Sequence, residues 1–187
     1  SLVMYRAPRP GGIYLLGADV AQGLLHGDAS CGIVLEQAED YTWEEVAHLH
    51  ERVPPDVFGD HLHSLASAYP GLLGVERNNH GHAVLVRLRD RALAGYVPYV
   101  LYRHEAPLHV PAGLYGGPMY RGQLEGWLTN SASKPTMIRE LEEALRKGWI
   151  KLHTPELIGE LREYRYEDDG DTSAPPGGYD DRVIALA

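Results

Sequence analysis
The first strong pattern in the chain is a run from Ile13 to Ala21 that is almost entirely apolar, broken only by Gly17 and Asp19. Such a run, bounded by glycines, predicts a buried strand. Gly23, Gly27 and Asp28 predict a turn. Strands are then expected over Cys31–Glu36 and Thr42–Leu49. Three strands joined by short turns predict an antiparallel meander. Pro54, Pro55 and Asp56 open a helix in which Phe58, Leu62, Leu65 and Tyr69 share one face. Pro70 and Gly71 stop it. Leu72–Glu76 reads as a short strand, His80–Arg91 as a helix and Val97–Tyr102 as another strand.

The segment Pro107–Leu128 is rich in Gly and Tyr and reads as an irregular hairpin region. A helix is predicted over Lys134–Lys147, with Ser133 as its cap and Pro135 in its first turn. Ile138, Leu141 and Leu145 line one face and Gly148 ends it. Trp149–Leu152 suggests a strand, while Glu160–Tyr166 fits neither template well. Glu167–Gly178 is acidic and rich in Gly and Pro, and reads as a solvated loop. Tyr179–Ala187 opens on two Asp residues, a favourable helix start. The last helix reads as cut short. Alternating strands and helices of this kind predict a mixed α/β sheet covered by helices.

The whole chain has 187 residues, the size of one ordinary domain. Residues 1–12, with Pro8, Pro10, Gly11 and Gly12, read as a linker or boundary segment, and 13–187 as the domain. Apolar runs fall short of the roughly 18 residues a membrane helix needs, and no secretory leader is apparent. One cysteine, Cys31, excludes an internal disulfide and fits a cytosolic setting. Asp and Glu outnumber Lys and Arg, 26 to 17, for a net charge of −9. That is unusual for a protein that grips phosphates, unless some acids hold cations.

Three acidic positions could do so. Asp19 lies near the end of an apolar strand, where an ionised carboxylate is costly without a partner; alone, it also suits a simple turn. Glu76 ends a second apolar strand, with pairing to Arg77 as the plain alternative. Ligand sites in α/β sheets collect at the carboxyl ends of strands. Asp180 and Asp181 form the third element, although acids also favour any helix start. Their hard oxygen donors select Mg²⁺ or Mn²⁺ over zinc, and paired ions of this kind serve in-line phosphoryl displacement.

The segments Gly17-Ala-Asp-Val-Ala-Gln-Gly, Gly74-Val-Glu-Arg-Asn-Asn-His-Gly-His-Ala and Tyr179-Asp-Asp-Arg-Val-Ile-Ala-Leu-Ala resemble, in order and spacing, the nuclease domain of the large terminase subunit of tailed double-stranded DNA phages. The resemblance spans nearly the whole chain. It implies an RNase H-like fold: a mixed sheet with three antiparallel strands followed by parallel ones, flanked by helices. It implies two bound divalent ions, held and used catalytically by Asp19, Glu76, Asp180 and Asp181, with the balance between the last two left open. The implied activity is two-metal-ion endonuclease cleavage of concatemeric double-stranded DNA at the start and end of packaging.

The implied setting is the host cytoplasm, and the implied partners are double-stranded DNA, the portal protein and the small terminase subunit. The ATPase half of such a motor needs a Gly-Lys-Ser/Thr loop, which this chain lacks. The domain on its own is expected to be compatible with a monomer. A junction resolvase or exonuclease on the same fold, and a docking module with little activity alone, are the competing readings.

Lys134, Arg121 and Arg139 are candidates for DNA phosphates, Lys134 foremost because it opens a helix. A solvated helix face is the plain alternative for each. Tyr115, Tyr120 and Trp127 suggest a DNA-facing hairpin or a local aromatic cluster. The pairs His48/His50, His61/His63 and His80/His82 have a two-residue spacing that suits a shared metal only on strands. They are expected at the surface, with His80 near the rim of the site. Asp28 and Ser30 are expected to shape the first turn.

Overall fold
The computed structural model describes residues 1–24, 26–107, 121–166, 172–175 and 177–187. Three long strands follow each other as expected: β2 (Tyr14–Asp19), β3 (Ser30–Gln37) and β4 (Trp43–Glu51). β2 pairs antiparallel with β3, and β3 with β4, through a register shift at Val34/Leu35. Helix α1 (Pro55–Ala68) then returns the chain so that β5 (Gly71–Val75) runs parallel to β2. Helix α2 (Gly81–Ala94) leads to β6 (Val100–Leu101), parallel to β5. Residues 1–12, expected as a linker, include β1 (Leu2–Met4), which pairs antiparallel with β4. The main sheet has the order β1-β4-β3-β2-β5-β6, a mixed sheet flanked by helices.

The later chain departs more from expectation. β7 (Arg103–Pro107), which leads up to the Gly- and Tyr-rich region, pairs antiparallel with β8 (Arg121–Glu125) within it. Tyr115 and Tyr120 lie outside the described residues. Helix α3 (Ser133–Arg146) is followed by β9 (Ile150–Lys151), parallel to β4. Helix α4 (Pro155–Glu163) covers half of the segment that fitted neither template. Its start was readable: Thr154 precedes it, Pro155 occupies the first turn and Glu156 favours the helix dipole. Within the expected acidic loop, β11 (Thr172–Ser173) pairs with β10 (Arg165–Tyr166); Glu167, Asp168, Asp169 and Asp171 lie outside the described residues. Helix α5 (Asp181–Leu186) ends the chain as expected.

Strand alternation divides the core into two layers. Tyr14, Leu16 and Ala18 of β2 and Leu73 and Val75 of β5 pack on Phe58 and Leu62 of α1 and Val84 and Leu88 of α2. Asp60 of α1 binds Arg87 and Arg91 of α2, at 2.7 and 2.8 Å, and ties these helices together. On the other face Cys31, Ile33 and Leu35 of β3 meet Leu157 of α4 and Ala185 of α5. Met137, Ile138 and Leu141 of α3 join Val183 there. Among the described residues, no helix is long and apolar enough to cross a membrane.

Ser133 does not cap α3 as expected. The Asn130 side-chain oxygen accepts the N–H groups of Ala132 and Ser133, both at 2.9 Å, while Ser133 Oγ donates to the Leu128 carbonyl at 2.8 Å. His48 is not at the surface either: it is 4% exposed, with Nδ1 2.8 Å from Thr154 Oγ1. Glu45, fully buried, accepts from the N–H groups of His153 and Thr154 and from the Thr154 hydroxyl, at 2.6, 2.9 and 2.5 Å. This network joins β4 to the start of α4 and accounts for His48 without a metal. His61 is exposed and pairs with Glu51.

Candidate acidic site
Two glycines allow four acids to gather. A Cβ on Gly17 of β2 would lie 1.9 Å from the Ala185 carbonyl oxygen, so α5 rests directly on the strand backbone. A Cβ on Gly81 would lie 1.7 Å from the Glu76 carbonyl oxygen, so α2 starts against the end of β5. Asp19 is the last residue of β2 and Glu76 follows β5. Because these strands are parallel, their carboxyl ends share one edge of the sheet. The Glu76 N–H donates to the Ala18 carbonyl at 2.8 Å, which sets the two acids side by side. Asp180 precedes α5 and Asp181 opens it; the Asp181 carboxylate accepts the Ala29 N–H at 3.3 Å.

The electrostatics at this edge run against ionisation. Burial, then the adjoining Glu76 carboxyl and the Asp181 charge, push Asp19 up to about 9. Asp181 is 6% exposed; burial and the charges of Asp28, Glu160 and Asp180 push it up to about 6, against the pull of the Ala29 N–H. Asp180 is raised by burial and by Asp28 and Glu76, with Lys134 opposing. Asp28, expected as a turn residue, thus also adds negative charge near Asp180 and Asp181. The Arg182 guanidinium is committed to another acid: it pairs with Glu160, and the Arg182 backbone N–H donates to the same carboxylate at 3.2 Å.

The remaining candidates differ. Lys134, in the first turn of α3, faces Asp180 and the Tyr164 hydroxyl. Arg139 is exposed on α3 and hydrogen-bonds Thr136 of its own helix at 3.4 Å. Arg121 begins β8, and its side chain lies outside the described part of the structure. His80 precedes α2, four residues from Glu76. Trp127 packs against Tyr102 and His104 and forms a local aromatic cluster. A cavity of about 370 Å³ opens beside Glu76 and Trp127, floored by Leu15, Ile33 and Leu35.

The donor set suits a hard divalent cation, being all carboxylate oxygen. Acids that raise one another's pKa are the arrangement a cation between them would relieve. Among the described residues, no group of three His, Cys, Asp or Glu side chains forms a closed ligand set.

No family model and no curated protein sequence matches the chain. Solved structures do. The large terminase nuclease from thermophilic phage G20c, with bound magnesium, superposes with a TM-score of 0.69 at 20% identity, over 99% of this chain and 84% of that one. Its cobalt- and zinc-bound forms also match. The human cytomegalovirus terminase nuclease domain gives 0.59 at 12% identity, over 93% and 80%. The HK97 bacteriophage large terminase gives 0.60 at 9% identity, over all of this chain and 43% of that one. The fold is thus that of large terminase nuclease domains, as the three sequence motifs implied.

Proposed function
We propose that the chain is a metal-dependent endonuclease domain of a viral DNA-packaging motor, cutting double-stranded DNA by two-metal-ion hydrolysis. One observation carries this reading. Asp19, Glu76, Asp180 and Asp181 come from three separate parts of the chain and meet at one sheet edge, on a fold shared with terminase nucleases that bind magnesium, cobalt and zinc. Acids that share one edge, with Asp19, Asp180 and Asp181 raised by burial and by neighbouring acids, are candidates for a functional site.

Asp19, Glu76 and Asp181 would hold the ions, with Asp180 beside them. Bound there, two Mg²⁺ or Mn²⁺ ions would supply Lewis-acid activation of a water and charge neutralisation at the leaving oxygen. The protein's own part is positional. The ends of β2 and β5 fix two carboxylates, and α5 brings the other two over Gly17. Lys134 supplies a positive charge at the same edge for a phosphate. This division would let a chain with a net charge of −9 act on DNA, because bound cations would offset the local negative charge.

In this reading the domain works beside an ATPase domain, with the portal and the small terminase subunit as partners, in the infected cell's cytoplasm. Supercoiled-plasmid cleavage with Mn²⁺, Mg²⁺, Ca²⁺ or EDTA tests it. Nicking and linearisation with Mn²⁺ or Mg²⁺ and none with EDTA is the expected result. A folded protein inert with every metal would overturn it in favour of a docking module. Strong preference for four-way junctions over linear duplex would favour a resolvase.

A further inference from the structure
Glu76 is gripped at both its backbone and its carboxylate. Beyond the backbone bond to Ala18, Asn78 Nδ2 lies 3.3 Å from Glu76 Oε1 and 2.6 Å from the Thr129 carbonyl oxygen. An amide NH₂ carries two hydrogens, so one group can serve both acceptors. The intervening turn is tight. Asn79 has φ 45°, in the left-handed region that Asn tolerates better than most residues. The Asn78 carbonyl accepts the Gly81 N–H at 2.9 Å.

The second acceptor is itself well anchored. Arg77 N–H donates to Trp127 O, and Trp127 N–H to Val75 O, both at 2.8 Å. The chain runs from Trp127 through Thr129 to Asn130, whose side-chain oxygen accepts the Ala132 and Ser133 N–H groups at the start of α3, and so to Lys134. The Asn78 amide therefore bridges the Glu76 carboxylate to the segment that launches α3.

We propose that Asn78 is a positioning residue whose amide holds the Glu76 carboxylate in the direction a divalent cation needs. The proposal rests on the reading of Glu76 as a metal ligand. A carboxylate at the end of a flexible side chain otherwise loses rotamer freedom when it binds an ion. Partners that orient a metal-binding carboxylate typically change metal affinity about 10–100-fold. An asparagine that only shaped the turn would leave that affinity alone.

Mn²⁺ titration calorimetry on the full chain separates these roles, run beside Mn²⁺ electron paramagnetic resonance and melting in EDTA. The variants are Asn78→Ala, Asn78→Ser and Glu76→Gln. Serine keeps a turn-forming side chain, but its single O–H cannot serve two acceptors. Both Asn78 variants are expected to bind Mn²⁺ about tenfold or more weakly, with EDTA melting close to wild type. Wild-type affinity in a folded Asn78→Ala or Asn78→Ser protein, while Glu76→Gln binds weakly, would overturn the role of Asn78 alone. Equal Mn²⁺ binding by Glu76→Gln and wild type, or none by wild type, would overturn the ligand reading and this proposal with it.

Discussion
Strands β2 and β3 carry an acid at each end of their shared ladder, and the surroundings of the two could hardly differ more. At one end Tyr14 faces Glu36; at the other, five residues and roughly 17 Å away, Asp19 faces Cys31. Glu36 is 1% exposed yet fully answered, by Arg6 at 2.9 Å, Arg9 at 2.7 Å and the Tyr14 hydroxyl at 3.2 Å. Burial would raise its pKa, but Arg9 and Arg6 more than offset this and hold it low. Next to it, bonds from Lys151, His153 and Arg6 push Glu44 down to about 2. Asp19 meets other acids instead and is pushed up to about 9 by burial and Glu76. A fold that neutralises one buried acid so thoroughly leaves the other end short of positive charge, which is the property a cation site requires.

The largest effect should come from the unpaired end. Asp19→Ala is expected to lower plasmid cleavage by about a thousandfold or more, several kcal/mol of transition-state stabilisation. It should also melt no lower than wild type in EDTA, because it removes repulsion. An active, metal-dependent Asp19→Ala protein would break the comparison. The paired end should behave in the opposite way. Glu36→Ala removes three charge-assisted or hydroxyl bonds and is expected to cost about 2–3 kcal/mol of stability. For a domain of this size that lowers Tm by roughly 4–12 °C. Cleavage per folded molecule should be unchanged, a result checked by calorimetric melting beside the plasmid assay.

Groups held below and groups pushed above their ordinary pKa predict opposite pH responses in the metal-free protein. Glu44 is pushed down to about 2 by its bonds to Lys151 and His153, and His50 is pushed down to about 4 chiefly by burial. In both cases the unfolded chain takes up protons first, so stability falls as pH drops, from about 6.5 to 4 for His50 and from about 4.5 to 2 for Glu44. Asp19 and Asp181 are raised, so the folded chain keeps protons that the unfolded chain releases. Their effect is a loss of stability as pH rises from about 4 toward 6 for Asp181 and toward 9 for Asp19. Melts in EDTA should therefore decline on both sides of a weakly acidic optimum. Asp19→Asn should flatten the alkaline side only, and saturating Mg²⁺ should do the same for wild type. An alkaline limb that Asp19→Asn leaves unchanged would contradict this assignment.

Much of the unpaired end was legible in the sequence because it rests on short signals. An apolar strand ending in an acid needs only a few consecutive residues, and Asp19 and Glu76 each supply one. Their meeting was not legible from periodicity; it depends on β2 lying parallel to β5, which the motif resemblance implied. The paired end was harder to see. Glu36 draws on Arg6 and Arg9 from the segment read as a linker, where no hydrophobic period announces the three-residue strand β1. Glu45 draws on Thr154, 109 positions later, and His48 contacts the same threonine, 106 positions away. Asn78 stood in the sequence only as part of the second motif, since its second acceptor is a backbone carbonyl 51 positions away. Contacts that close across the chain leave no local mark, whereas strand ends and helix starts do.

The smallest predicted effect tests how unanswered the acidic end is. Among the described residues around Asp180, Lys134 is the cation that opposes its raised pKa. Lys134 also stands where a phosphate would approach the start of α3. Lys134→Ala should therefore act in two modest ways. Removing one phosphate contact should reduce the slope of log affinity against log salt by about one. Removing the opposing charge should raise Asp180 further and strengthen proton competition for the site, so the Mg²⁺ requirement for cleavage should grow as pH falls. Arg139→Ala, on an exposed helix face and bonded to Thr136, serves as the matched control. DNA binding measured across a salt series would distinguish them: equal salt slopes for the two variants would remove Lys134 from the site and leave the acidic edge to cations from solution alone.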